Sequence, residues 1–244
     1  MKIRIKFSKH GAIRYIGHLD VMRYFQKAMR RADIDIKYTE GMSPHQVMSF
    51  AQPLSVGSES DGEYLDIEVN HTDSSEISVA KLNKVMADGI RVLEYKQLPD
   101  DAKNAMSCIT AADYEVDIRQ EYKPDFDLRA ALTKCMLNSE LMITKKTKKG
   151  EQEFDIRPYL YDVQIESTEQ QCLSMGNQDC CMRLFMRLSA GSENNIKPKY
   201  VMEALYRTEG RELPEYAIHI TRKELYMNQE DQLIPLGNAG DEIC

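Results

Sequence analysis

Five histidines, His10, His18, His45, His71 and His219, are the side chains of this sequence best suited to moving protons near neutral pH. General acid–base chemistry needs two such groups, or one with a carboxylate, tyrosine or lysine, brought within hydrogen-bond reach. His10, His18 and His45 fall in one short stretch, so a metal-independent cleavage of RNA has its candidates. His18 or His45 would serve as general base, with Tyr15 or Lys9 as helper. A plainer reading competes with it: His18 packs at a helix start and His45 opens a surface strand. Asp20 then sits in a first helical turn, where a carboxylate accepts free backbone N–H groups and meets the positive end of the dipole. Metal binding by His18 and Asp20 lacks further ligands close by in sequence.

Gripping a polyanion is the other chemistry within reach. From Met1 to Tyr38 ten Lys or Arg stand against three Asp, a local net of +7; the remainder carries −14, which gives −7 for all 244 residues. The average excludes a uniformly basic nucleic-acid binder, but binding depends on where charge is placed. Arg23, Lys27, Arg30 and Arg31 recur at spacings that put them on one helical face, and Lys9, Arg14 and Lys37 lie on the flanking segments. Few acidic residues interrupt this charge, which suits a phosphate backbone, and Tyr15, Tyr24 and Tyr38 are interleaved where they could stack on unpaired bases. With His18 and His45, these cations form the expected RNA- or ligand-binding set. Lys145, Lys146, Lys148 and Lys149 mark a second expected contact at a hairpin tip.

Other chemistries are excluded by their absent signatures. The chain has no GxGxxG, GxxxxGK[ST], GxSxG or HExxH and no zinc-spaced Cys/His set, so neither a cofactor nor a metal is expected. It has no CxxxCxxC to hold a radical-SAM cluster. Its six cysteines are scattered, which reads as reduced thiols. No apolar run is long enough to span a bilayer and no secretory leader opens the chain, so a cytoplasmic protein without membrane contact is expected.

The elements that must position these residues follow from periodicity. "KIRIKFS" alternates Ile3, Ile5 and Phe7 with Lys2, Arg4 and Lys6, the pattern of a half-buried strand. Leu19, Met22, Phe25, Gln26 and Met29 predict a helix over 17–32. "DIDIKY" and "HQVMSFA" read as strands around a turn at Glu40 to Pro44, and "EYLDIEVN" as a further strand. A helix capped by Ser74 or Ser75 and stopped at Gly89 then leads to the strand "IRVLEYKQL". After a polar connector around 99–107, strands and helices repeat in similar order through "AADYEVDIR", "PDFDLRAALTKCML", a hairpin, "YDVQIES", "CMRLFMRLS", "KPKYVMEALYRTEG" and "EYAIHITRKELY". The expectation is an α+β fold of two ferredoxin-like (split βαβ) halves, with antiparallel sheets and helices on one face. The halves would span 1–99 and 108–227, with 228–244 a flexible tail lacking periodicity.

The segment from Phe7 to Val69 resembles the radical-SAM-linked proteins, a bacterial family of uncharacterised function. Its members stand alone or form the C-terminal part of cobalamin-binding radical-SAM enzymes. The resemblance is carried by Phe7-Ser8-Lys9, Gly11, Arg14, His18-Leu19-Asp20, Arg30-Arg31-Ala32, Gly41, Pro44-His45, Phe50-Ala51, Pro53-Leu54, Gly57, Glu63-Tyr64 and Asp66. Gly17, Met42 and Gln46 depart from it, where Ser, an aromatic residue and Pro are expected. The resemblance implies a radical-SAM enzyme as partner and RNA or ribosome metabolism as setting. Joined to the basic first quarter, it gives the expected function: a non-catalytic module presenting a substrate, RNA, to a separately encoded radical-SAM enzyme. The alternatives are the RNA-processing enzyme above and a purely protein-docking subunit of the radical-SAM partner, whose acidic surface the positive face would meet.

Overall fold

The structure, a computed structural model, describes residues 1–147, 150–167, 169–174 and 179–244. In chain order its elements are β1 (Lys2–Lys9), α1 (His18–Arg31), β2 (Met48–Phe50), β3 (Glu59–Glu68), α2 (Ser75–Val85), β4 (Ile90–Gln97), α3 (Ala105–Cys108) and β5 (Ile109–Arg119). There follow α4 (Leu128–Leu137), β6 (Met142–Thr147), β7 (Gly150–Asp155), β8 (Leu160–Ser167), α5 (Glu169–Ser174), β9 (Cys180–Ser189), α6 (Pro198–Thr208), β10 (Ile218–Gln229), β11 (Gln232–Pro235) and β12 (Asp241–Glu242). The class is mixed α+β, with mostly antiparallel strand pairing.

The chain forms two compact units. Met1–Ala111 and Arg222–Cys244 make the first, and Ala112–Thr221 the second. In the first unit the neighbours run β12-β4-β1-β3-β10, with β2 also on β3 and β11 on β10. In the second, β10 opens the order β10-β5-β9-β8, and β6-β7 is a separate hairpin. The path β4-β1-β3-β2 of the first unit and β10-β5-β9-β8 of the second share one pattern: fourth strand, first, third, second.

The first unit's core grows out of two local patterns. Ile3, Ile5 and Phe7 are fully or almost fully buried on β1, as the alternation requires. On α1 the buried positions are Val21, Phe25, Ala28 and Met29, whereas Leu19 of the expected stripe is exposed. The buried face is centred slightly round the helix from the predicted one, because Phe25 sets the contact. Its ring lies 4.6 Å from Phe7 and 5.7 Å from Phe50, centroid to centroid.

Three expectations are corrected. "DIDIKY" forms no regular strand: Asp33 takes a left-handed φ of 53° after the helix, and the segment is held beside its neighbours by isolated bridges, Ile36 to Val69 and Tyr38 to Gln46, and by hydrogen bonds such as Lys37 N–H to the Glu68 carbonyl. The connector near 99–107 includes a helical turn, α3, whose Ala105 N–H donates to Asp66. Residues 228–244, expected as a tail, finish β10 and supply β11, a 3-10 turn with Leu236 fully buried, and β12 paired to β4. These elements are too short to show a period. At the lysine-rich tip, Lys148 and Lys149 lie outside the described residues.

One close backbone approach fixes how β3 meets β10. A Cβ on Gly62 would stand 2.6 Å from the Lys223 carbonyl oxygen and 2.9 Å from Glu224 Cα. Gly62→Ala should therefore lower the unfolding free energy by about 1–3 kcal/mol, since backbone must shift to admit the methyl group. Gly17→Ser, at the start of α1, should change it by less than about 0.5 kcal/mol. Urea titration compares the two; a neutral Gly62→Ala would refute the close approach.

Candidate functional site

Helix α1 separates its residues by face. Val21, Phe25, Ala28 and Met29 turn inward, which leaves Arg23, Lys27, Arg30 and Arg31 exposed on the outer side. Arg23 Nη1 lies 3.5 Å from Asp20 Oδ1, both side chains about two-thirds exposed at 68% and 65%, so water screens most of that attraction. Arg31 donates to the Val85 carbonyl at 3.1 Å and rests its guanidinium 5.5 Å from the Tyr24 ring centroid. The side chains of Lys27 and Arg30 make no hydrogen bond or ion pair among the described residues. The outer face thus keeps four cations with little intramolecular neutralisation.

The rest of the expected binding set is placed differently. Arg14 donates to Glu59 at 3.0 Å and to the Tyr15 hydroxyl at 3.0 Å, contacts that hold its guanidinium above the usual range. Lys37 pairs with Glu68 at 3.0 Å. Tyr24 accepts from the Ala87 N–H, whereas Tyr15 and Tyr38 are exposed at 60% and 46%. His45 is exposed in its turn, with Nδ1 3.1 Å from Thr39 Oγ1. His18 begins α1 with its ring edge-on to Phe50, centroids 5.3 Å apart. The two candidate bases share no hydrogen-bond partner. Lys145 lies over the Phe154 ring at 3.8 Å, and burial pushes its ammonium below the usual range.

Lys9 is the member that sequence reasoning misplaced. It falls two residues after Phe7 in the alternation that buries Ile3, Ile5 and Phe7, and it is only 4% exposed. That phase was the available signal. Opposite Phe7 stands Glu63, whose Oε1 accepts from Arg222 Nε at 3.1 Å and from Nη2. Arg222, 1% exposed, also donates to the Gln52 carbonyl at 2.9 Å. Lys9 makes no hydrogen bond or ion pair among the described residues. Burial pushes its ammonium below the usual lysine range, Glu63 opposes that, and Arg222 adds to it.

These residues surround a small cavity of about 20 Å³. Its polar wall is Lys9, His18, Gln52 and Glu63; its apolar wall is Phe7, Val21, Phe50 and Leu54. Because a single water needs roughly 10–15 Å³ by such a measure, the cavity admits one water-sized group and no whole substrate. Phe7, Lys9, His18, Phe50, Leu54 and Glu63 are also among the residues that carry the family resemblance, so a string dispersed over 57 positions converges here. Among the described residues no group of three His, Cys, Asp or Glu could hold a metal ion.

A family model described as an uncharacterised protein conserved in bacteria (DUF2344) matches residues 2–198. No curated protein matches the chain.

The Lys9 geometry has a measurable cost. Between its lowered folded value and the unfolded 10.5, the unfolded chain binds the extra proton, so this group makes stability rise with pH. Below that window the penalty is present in full. Lys9→Met removes the charge while Arg222 still neutralises Glu63. The variant should be more stable than the parent by about 1 kcal/mol or more at pH 7, with the difference shrinking towards pH 10.5. Chemical denaturation of both proteins from pH 7 upward, in a buffer of low anion content, checks it.

Proposed function

We propose that this chain, which belongs to the uncharacterised bacterial family DUF2344, is a non-catalytic binding module that holds single-stranded RNA on the outer face of α1 for a separate enzyme. The observation that carries this reading is the exposed row Arg23, Lys27, Arg30 and Arg31, in which the side chains of Lys27 and Arg30 have no partner among the described residues. At 1.5 Å per residue the row covers about 12 Å, long enough to meet more than one successive phosphate of a single strand. Exposed Tyr15 offers a ring on which a base can stack, typically worth about 1–3 kcal/mol. The radical-SAM enzyme as partner rests on the resemblance alone.

A binding role is favoured over RNA cleavage by the state of the two histidines. His45 is bound into its own turn, and His18, packed on Phe50, shares with Lys9 and Glu63 a cavity of about 20 Å³ and makes no side-chain hydrogen bond to either among the described residues. The reading of both units as ferredoxin-like halves with helices on one face is likewise a proposal, supported by the strand order they share. Cytoplasmic residence is proposed on similar terms: among the described residues no helix is long and apolar enough to cross a membrane.

Binding of a fluorescent single-stranded RNA, followed by anisotropy across a salt series, tests the function. Four phosphate contacts predict a slope of log K against log salt of about −3, and Lys27→Ala with Arg30→Ala should halve it to about −1.5. Arg23, Arg30 and Arg31→Glu together should abolish binding at low salt. A flat salt response, or affinity unchanged by charge reversal, would refute the proposal. Cleaved RNA would point to the processing enzyme, and retention of an acidic protein without RNA to the docking subunit.

A further inference from the structure

We propose that the cavity beside Lys9 binds one small monoanionic group, either a halide ion or a single oxygen of a carboxylate or phosphate, between the Lys9 ammonium and the first turn of α1. This goes beyond the RNA reading, which concerns the opposite side of that helix.

Charge accounting comes first. Arg222 and Glu63 neutralise each other through contacts to Glu63 Oε1, which leaves Lys9 as the surplus cation of the buried group. Lys9 as a residue is 4% exposed and its ammonium has no direct partner, an unfavourable arrangement unless it loses its proton or gains a counter-ion. Its lowered proton affinity is one sign of that tension. A net charge of one also sets the valence of the guest, since the Glu63 carboxylate on the same wall opposes a dianion.

The second observation is the start of α1. Its N-cap is Gly17, which has no side chain to accept a hydrogen bond, so the leading N–H groups and the positive end of the dipole are not capped by it. His18 and Val21 of this turn line the cavity. Asp20 shares the turn, but its side chain is 65% exposed and directed to Arg23. Together a buried unpaired ammonium and an uncapped helix start give the donor set of an anion site.

Gln52 completes the wall and is also unsatisfied, because its Oε1 is buried without a donor. Exchanging the amide's oxygen and nitrogen turns that orphan acceptor into an N–H donor, which an anion can use. The volume of about 20 Å³ then limits what enters to a single atom or the tip of an oxyanion.

Thermal unfolding of the full chain tests this in a low-anion zwitterionic buffer at pH 7, titrated with chloride, acetate or inorganic phosphate. The parent should show a rise in Tm that saturates with at least one of the three. Lys9→Met and Lys9→Gln should show only the unsaturating shift that such salts give any protein. The saturable part should fade as pH rises towards 10.5, because burial makes Lys9 lose its proton below that ordinary lysine value. Equal responses in parent and variants, or no saturable rise in the parent, would overturn the proposal. If neither variant folds, calorimetric titration of the parent decides: anion binding at pH 7 that is lost above pH 10.5 supports the site, and its absence at pH 7 refutes it. RNA affinity should stay within about twofold in the Lys9 variants, so failure here and failure of the α1 reading are told apart.

Discussion

The buried guanidinium of Arg222 is the constraint on which the first unit depends. A charge that is 1% exposed must be met by a partner, and Glu63, 159 residues earlier, is the acid that meets it. Breaking such a pair from one side typically costs about 3–5 kcal/mol, because the remaining charge stays out of water. The Arg222 strand therefore has one acceptable position along β3. Ser60 Oγ donates to the Arg222 carbonyl at 3.1 Å, and Gly62 lets the two backbones close. The same guanidinium binds the Gln52 carbonyl, so one side chain sets both the strand and the loop that closes the Lys9 cavity.

Forked arginine–carboxylate pairs recur wherever segments distant in sequence must register. Arg4 meets both oxygens of Asp66 at 2.8 and 2.9 Å and donates to the Leu236 carbonyl, while Asp66 also accepts from Ala105 N–H. One buried arginine thereby ties the connector and the C-terminal segment to β1 and β3. In the second unit, Arg187 with Asp113 and Arg183 with Asp117 make two parallel forks between β9 and β5. Such planar pairing fixes direction as well as distance, which a lysine could not do.

What was legible in the sequence was what depends on near neighbours. The alternation of Ile3, Ile5 and Phe7 and the basic face of Arg23, Lys27, Arg30 and Arg31 both belong to a single element with its own period. What escaped depends on distant partners. Glu59 and Glu68, at the two ends of β3, neutralise Arg14 and Lys37 from 45 and 31 residues away, so a count of local charge overstates the patch. Lys9 escaped for the opposite reason. Its phase placed it with Phe7, but its residue type assigned it to the surface; only the cavity makes room for it inside, where Glu63 favours its charge and Arg222 opposes it.

The first unit thus carries two kinds of positive charge that obey different physics, the row on the outer face of α1 and Lys9 at the end of β1. Ions at physiological strength screen the outer row over about 8 Å, so its attraction for a polyanion is short in reach, weak in any one contact and summed over several contacts. Lys9 lies out of solvent, where screening fails and a single unmatched charge is expensive. A long polyanion can meet the outer row and cannot enter a cavity of about 20 Å³; a single small anion fits the cavity and gains little on the open helix face. Size and salt would therefore separate the two proposed roles of the 14-residue α1, extended phosphates on its outer face and one small charge at its first turn.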